Sequence, residues 1–184
     1  MSDSPGFRAL SAGQLVRQAT GGDLDAFEEL IRSLQRRVYG FALHQLRDAD
    51  EAHDLAQEIF VKLYRNLARY DNERPFEPWF WKLAVNTTIN YRRRRVPVPA
   101  EPADDAAGVD ANFQSHDPFL VEALAQLDPA YRLPVLLHYY ADLSLEQVAH
   151  ALSLSVPAVK SRLHRARAQL RNSLAEAEEF ERPR

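Results

Sequence analysis

The chain of 184 residues contains no cysteine, one methionine and only six glycines. Without cysteine it can form no disulfide, thiolate zinc site or thiol-based redox switch of its own. No apolar stretch approaches the ~18 residues needed to cross a bilayer, and the segment from Met1 to Pro5 has no signal-peptide character. These absences predict a soluble, cytoplasmic protein that does not insert into a membrane.

Charge is distributed unevenly along the chain. Residues 1–95 carry 15 bases and 13 acids, whereas residues 96–117 carry five acids and no base. The net charge of −3 argues against a uniformly basic nucleic-acid binder, while the hydrophobic content of 46% is sufficient for packed cores. The distribution of charge is therefore more informative than its sum.

The hydrophobic pattern predicts an all-α fold. Apolar residues recur at steps of three and four, and no segment alternates with the period of two that a half-buried strand requires. The stretch rich in proline, alanine and acids cannot build a core and is predicted to be a flexible linker that spans up to ~70 Å. The predicted order is a disordered N-terminus (1–11), a helical domain (12–95), the linker (96–117), a second helical domain (118–174) and a fraying acidic tail (175–184).

A stretch near the C-terminus predicts a helix-turn-helix. Ser144 and Gln147 are typical of a capping box, and Ser153–Ser155 forms a short turn without the glycine often found there. The next helix has an apolar stripe opposite a basic face, and no acid lies between Val156 and Asn172. Such a helix suits the DNA major groove, where Arg and Lys meet guanine edges and phosphates. The alternative is a helical hairpin with a solvated charged face, although such faces usually carry both signs.

Several blocks in a fixed order resemble bacterial sigma factors of the extracytoplasmic-function (ECF) group. The resemblance covers residues 12–172, and its blocks are Gly22-Asp23 with Ala26–Leu30, Ala52–Phe60, Trp79 with Leu83–Asn86 and Arg92–Arg95, and Val159–Arg167. It implies a promoter-specificity subunit that makes and breaks no bond. It implies no catalytic residue, cofactor, metal or small-molecule substrate.

The resemblance assigns roles to three groups of residues. The polymerase-binding group, which would contact the coiled coil of the largest catalytic subunit, is Asp54, Gln57 and Glu58. The group facing the −10 promoter element, opened as a single strand, is Phe76, Asn86, Asn90, Arg92 and Arg93. The group facing the −35 element is Lys160, Ser161, Arg162, His164 and Arg165. In the −10 group, an extruded base would stack on Phe76 in the loop and be read by the amides.

Each group has a plainer interpretation. The acidic group could be a solvated helix face with internal ion pairs, and the aromatic residues could be core anchors, which we expect for at least one of the two tryptophans. The arginine run could merely offset a helix dipole. Two departures from the family pattern weaken any prediction of which −10 sequence is read: Asn90 stands where Asp is more frequent, and residues 70–78 contain no glycine.

The resemblance also implies partners. These are core RNA polymerase, contacted through its largest-subunit coiled coil and its flap, promoter DNA, and an anti-sigma factor that covers both domains. The acidic linker would run near the template strand, or it would serve only as a tether.

Two other function classes remain open from the sequence. One is an autonomous helix-turn-helix regulator, which the acidic linker disfavours because unaided affinity comes mostly from neutralised phosphates. The other is a hydrolase or metal nuclease that uses acidic residues and a histidine of one region, although no ligand motif or nucleophile accompanies them. Its residues would be Asp48, Asp50, His53, Asp54 and Glu58.

Overall fold

The computed structural model describes residues 12–95 and 118–180, and the predicted disordered N-terminus and linker lie outside these described residues. Within them the chain forms eight α-helices and one π-helical turn, with no strand. The all-α prediction is confirmed. No helix in this part of the chain is both long and apolar enough to span a bilayer.

The N-terminal module contains four helices. They are α1 (Ala12–Thr20), α2 (Leu24–Leu46), α3 (Ala49–Leu67) and α4 (Phe76–Arg95). The Asp23 carboxylate accepts a hydrogen bond from the N–H of Ala26 at 3.0 Å, and Asp48 accepts one from the N–H of Glu51 at 2.8 Å. These caps fix where α2 and α3 begin, because the first N–H groups of a helix have no internal partner.

The C-terminal module contains the other four helices. They are α5 (Pro118–Gln126), α6 (Pro129–Val135), α7 (Leu145–Leu152) and α8 (Val156–Phe180), with a π-helical turn at Leu136–Tyr140 after α6. The stretch from Pro129 to Tyr140 is thus helical throughout, but its second half is wider than an α-helix. Pro134 has no N–H to donate to the preceding turn, and two residues later the backbone adopts the wider turn, which closes when Ala141 N–H donates to the Leu136 carbonyl at 2.9 Å.

The helix-turn-helix is formed by α7, its turn and α8. The predicted capping box is confirmed: the N–H of Gln147 donates to the Ser144 hydroxyl at 3.2 Å, and the Gln147 amide oxygen accepts from the N–H of Ser144 at 2.8 Å. Ser153 has a left-handed backbone conformation with φ of 54°, so a serine here adopts the conformation for which glycine is the usual residue. Ser155 caps α8, which continues to Phe180. The helix thus includes residues 175–180 of the predicted acidic tail, and residues 181–184 lie outside the described part.

The core is continuous between the two modules. Trp81, Phe41 and Phe80 are fully buried in the first module, and Leu137 and Val148 in the second. The prediction that one tryptophan is a core anchor is confirmed by Trp81. Its indole N–H is satisfied by the Glu77 carboxylate at 2.9 Å, as a buried ring nitrogen requires.

The modules meet in a junction where α7 packs on α4, and α2 contacts α5 and the π-helical turn. Arg37 of α2 is central to it. Its guanidinium binds both Glu77 carboxylate oxygens, at 2.9 and 3.1 Å, and donates to the Ala141 carbonyl of the second module. Tyr140 donates to the Arg36 carbonyl at 3.3 Å, and its ring lies 5.4 Å from that of His44. The sequence did not predict this junction.

Candidate nucleic-acid interface and polymerase-binding face

The basic face of α8 is solvent-exposed. Val159, Leu163 and Ala166 are buried against the rest of the module, as their spacing predicts. The −35 group projects from the opposite side, where four of its members are exposed and Arg162 is half-buried; the exposed four are Lys160, Ser161, His164 and Arg165. The structure thus brings the predicted −35 residues together on one accessible surface.

Few internal contacts hold this face. Among the described residues, none makes a hydrogen bond or ion pair with the side chain of Lys160, His164 or Arg165. Glu146 of α7 lies near Lys160. The pKa of Glu146 is lowered by a hydrogen bond with its own backbone, by the Ser144 hydroxyl and, to a smaller extent, by the charge of Lys160. The other basic side chains of this face are available to neutralise phosphates. Such neutralisation supplies most of the affinity of a DNA-binding helix.

A second exposed stripe lies on α4. Asn86, Asn90 and Arg93 follow one another at steps of four and three and are all exposed, with Arg92 half-buried beside them. The other side of the helix is buried. There the Thr87 and Thr88 hydroxyls donate to the carbonyls four residues earlier at 2.8 and 2.9 Å. The structure therefore places the two amides and the arginines of the −10 group along one helix.

Phe76 does not lie where the sequence interpretation placed it. It is the first residue of α4 rather than part of the preceding loop, and only 8% of it is exposed. Its ring stacks on Phe80 at 5.6 Å and meets Tyr70 edge-on at 5.7 Å. Burial in this aromatic cluster leaves little ring face for a base. The half-buried Trp79 offers an aromatic face instead, closer to the amide stripe.

A cleft of about 290 Å³ lies between α3 and α4. Asn86 and Asn90 line it together with Trp79 and Lys82 of the same helix, and α3 contributes Lys62 and Asn66. Sequence reasoning missed the two α3 residues, because it treated that helix only as a polymerase-binding element. The available signal was that Lys62 and Asn66 continue the four-residue series that begins at Glu58.

The predicted polymerase-binding group lies on the outer face of α3. Asp54 and Gln57 are exposed and Glu58 is half-buried. The acids pair with the end of α4: Glu58 binds Arg94 and also Lys62 at 3.1 Å, while Arg95 contacts Glu51 and lies 3.7 Å from Asp54. We call this set the clasp; its residues are Glu51, Asp54, Glu58, Arg94 and Arg95.

The clasp changes the titration of Glu58. Burial raises the pKa of this carboxyl, but the hydrogen bonds and charges of Arg94 and Lys62 outweigh burial and hold the pKa below its ordinary value. Asp48, another residue of the metal-nuclease hypothesis, caps α3. Among the described residues no group of three or more His, Cys, Asp or Glu side chains could hold a metal ion.

Comparison with known proteins defines the family. Sigma-70 region 2 matches residues 30–97, and Sigma-70, region 4 matches residues 120–170. The ECF RNA polymerase sigma factor SigW of Bacillus subtilis is 30% identical, with 86% of this chain and 94% of that protein covered. The RNA polymerase sigma-H factor of Pseudomonas aeruginosa is 31% identical, with 88% and 92% covered. The chain belongs to the sigma-70 family and is an RNA polymerase sigma factor of the ECF group.

Solved structures agree in fold. CnrH, solved in complex with the cytosolic domain of CnrY, superimposes with a TM-score of 0.69 at 26% identity, covering 91% of this chain and 99% of that one. RpoE of Bartonella quintana, solved with the anti-sigma factor NepR, gives a TM-score of 0.65 at 20% identity, with 81% and 96% covered. The second likeness shows the fold alone.

Proposed function

We propose that this sigma factor binds core RNA polymerase through the outer face of α3 and reads two promoter elements with its two modules. The −35 element is read in the major groove by Lys160, Ser161, Arg162, His164 and Arg165. The observation that carries this proposal is the exposed cationic face of α8 opposite a buried apolar stripe. Its protein partners on polymerase are the largest-subunit coiled coil, for α3, and the flap, for the C-terminal module.

The −10 element, opened as a single strand, is read by α4. Asn86 and Asn90 supply amide donors and acceptors at the cleft, and Arg92 and Arg93 neutralise the backbone at the end of the same helix. Phe76 has an indirect role in this proposal. Its ring packs against Trp79 at 5.9 Å and fixes the aromatic wall of the cleft. The role of the chain is recognition and strand opening, not catalysis.

The polymerase contact of α3 uses its charge pattern. Asp54 and Gln57 are exposed on adjacent turns, and a mixed acid and amide surface can pair with arginines of a partner helix. Regulation by an anti-sigma factor is part of the proposal, since RpoE of Bartonella quintana, which shares this fold, was solved in complex with the anti-sigma factor NepR. The proposed place of action is the cytoplasm, where a stress or envelope-response regulon would be transcribed.

A gel shift on promoters found by transcript start mapping tests the proposal. The isolated chain should bind these promoters weakly, and the complex with core polymerase should bind them tightly and specifically. Tight sequence-specific binding by the isolated chain would instead support an autonomous regulator.

Two substitutions test the division of roles. Arg165→Ala should lower promoter-dependent transcription by about 5- to 100-fold, as expected for a lost base or phosphate contact, and leave binding to core polymerase unchanged. Asp54→Ala should weaken binding to core polymerase. Arg171→Ala, which removes an exposed arginine further along α8, is the matched control and should change transcription little. Equal loss of core binding by Arg165→Ala and Asp54→Ala would contradict the proposed roles.

A further inference from the structure

Asn66 of α3 has a fixed orientation at the cleft. Its side-chain nitrogen donates to the Lys62 carbonyl at 2.8 Å. A backbone carbonyl can only accept hydrogen bonds, so the amide must turn its nitrogen toward the helix. The oxygen of the Asn66 amide is therefore left as an acceptor at the cleft that this residue lines.

The other walls of the cleft suit one unpaired nucleotide. Trp79 presents an aromatic face and is held in place by Tyr70, whose ring centroid lies 4.8 Å away. Positive charge lies on both helices that form the cleft, from Lys82 of α4 and from Lys62 of α3, which also pairs with Glu58 at 3.1 Å. The volume of about 290 Å³ is near the lower limit for small-molecule pockets, which suits a single base rather than a larger ligand. Stacking and phosphate neutralisation together bind a base without selecting which one.

We propose that Asn66 is a specificity-determining residue of this cleft: it selects an unpaired base that carries an amine where adenine has N6 and cytosine has N4, rather than the carbonyl that guanine and thymine have there. A fixed acceptor pairs with the N6 amine of adenine or the N4 amine of cytosine. The O6 of guanine and the O4 of thymine are themselves acceptors at the corresponding position and are disfavoured. The inference rests on the proposed function, because the base comes from the opened −10 strand.

The test uses holoenzyme reconstituted from core polymerase and the full chain. Promoter templates are randomised across the −10 region, and the transcribed templates are sequenced for wild type and for Asn66→Ala. The wild type should prefer adenine or cytosine at one position by about fivefold, the size of one net hydrogen bond, and Asn66→Ala should lose that preference alone. Gln18→Ala, which removes an exposed amide from α1, outside the cleft, should keep the wild-type preference.

Deleting the amine from the base supplies an independent measurement. If adenine is the preferred base, replacing it by purine should lower wild-type transcription about fivefold and leave Asn66→Ala unchanged, so that the two deletions are not additive. If cytosine is preferred, the same comparison uses 2-pyrimidinone. Asn66→Asp keeps an acceptor and should retain the amino-base preference, which a purely structural role of Asn66 would not explain.

The outcomes separate the inference from the proposed function. Promoter-selected transcription with an unchanged base preference in Asn66→Ala overturns the assignment of Asn66 and leaves the sigma-factor proposal standing. A wild-type preference for guanine or thymine at the position sensitive to Asn66 also overturns it. Failure of the wild-type holoenzyme to select any promoter overturns the proposed function itself.

Discussion

The two ends of α4 are both held by ion pairs, but these pairs differ in geometry and burial. At the first turn, Arg37 binds Glu77 through two hydrogen bonds, lies 5.5 Å above the ring of Trp81, and reaches the second module at Ala141. At the last turn, the clasp joins exposed arginines to carboxylates of α3 by single contacts. Both arrangements place charges that favour the helix dipole, with the acid at the start and the bases at the end.

The difference separates a structural contact from an exchangeable one. The side chains of Arg37 and Glu77 are each 31% exposed, and their bidentate pair belongs to a connected network with the indole of Trp81. Arg94 and Arg95 are 57% and 51% exposed, where water and salt screen an ion pair to little net free energy. We infer that the first end keeps the fold together, whereas the second can exchange its partners for polymerase and DNA.

The largest expected effect is on Arg37. Arg37→Ala should lower the free energy of unfolding by about 1–2 kcal/mol, because Glu77 and the Ala141 carbonyl both lose a charged donor. Urea unfolding measures this change. Arg32→Ala is the control, since Arg32 forms an exposed pair with Glu28 within α2 and should contribute less than ~0.5 kcal/mol. Equal losses for the two variants would remove the distinction between the ends of α4.

A smaller effect is expected at the clasp. The double variant Arg94→Ala with Arg95→Ala should bind core polymerase about two- to fivefold more tightly, because the acids of α3 no longer have an internal competitor. Its free energy of unfolding should change by less than ~1 kcal/mol. Titration with labelled core polymerase at two salt concentrations provides the measurement.

The control for the clasp removes the same charge elsewhere. Arg65→Ala with Arg69→Ala takes two exposed arginines from the same module, and no ion pair among the described residues involves either of them. This variant should bind polymerase like the wild type. Weakened binding by the clasp variant would mean that Arg94 and Arg95 themselves contact polymerase.

The smallest effect is a pH dependence at the junction. Burial lowers the pKa of His44, and the charge of Arg132 from the second module lowers it further. The unfolded chain therefore takes up a proton more readily than the folded one, so the contribution of His44 is complete above pH ~6.5 and is lost as pH falls below it. As pH falls below about 6.5, the melting temperature should fall more steeply for wild type than for His44→Gln. His164→Gln, at an exposed position, should keep the wild-type slope.

Local rules account for what could be predicted from the sequence. Asp23 and Ser144 cap helices as their side chains require, and the stripe of Val159, Leu163 and Ala166 is buried because side chains three and four apart share a face. The −35 group follows directly from that periodicity. These interactions lie within one or two helical turns, where sequence separation is a good guide to distance.

The features that were missed depend on residues distant in sequence. Arg37 reaches a carbonyl 104 residues away, and Glu58 meets Arg94 across 36 residues. The flanking prolines predict a loop at Phe76, yet aromatic packing with Tyr70 and Phe80 makes it the buried start of α4. No periodicity reports such contacts, because they are set by how helices pack.

The junction has a consequence for when this protein can act. A compact body of about 150 residues has a radius of gyration near 15 Å, so points on its surface lie at most about 40 Å apart. Sites two turns apart on a duplex are separated by about 70 Å, which is also the distance that the predicted linker can span. On the proposed reading of two promoter elements, α4 must part from α7 before both modules can engage one promoter. Separating the two modules at the junction therefore costs free energy. On the same proposal, a polymerase surface that holds both modules at once contributes more free energy to this separation than DNA that engages one module at a time.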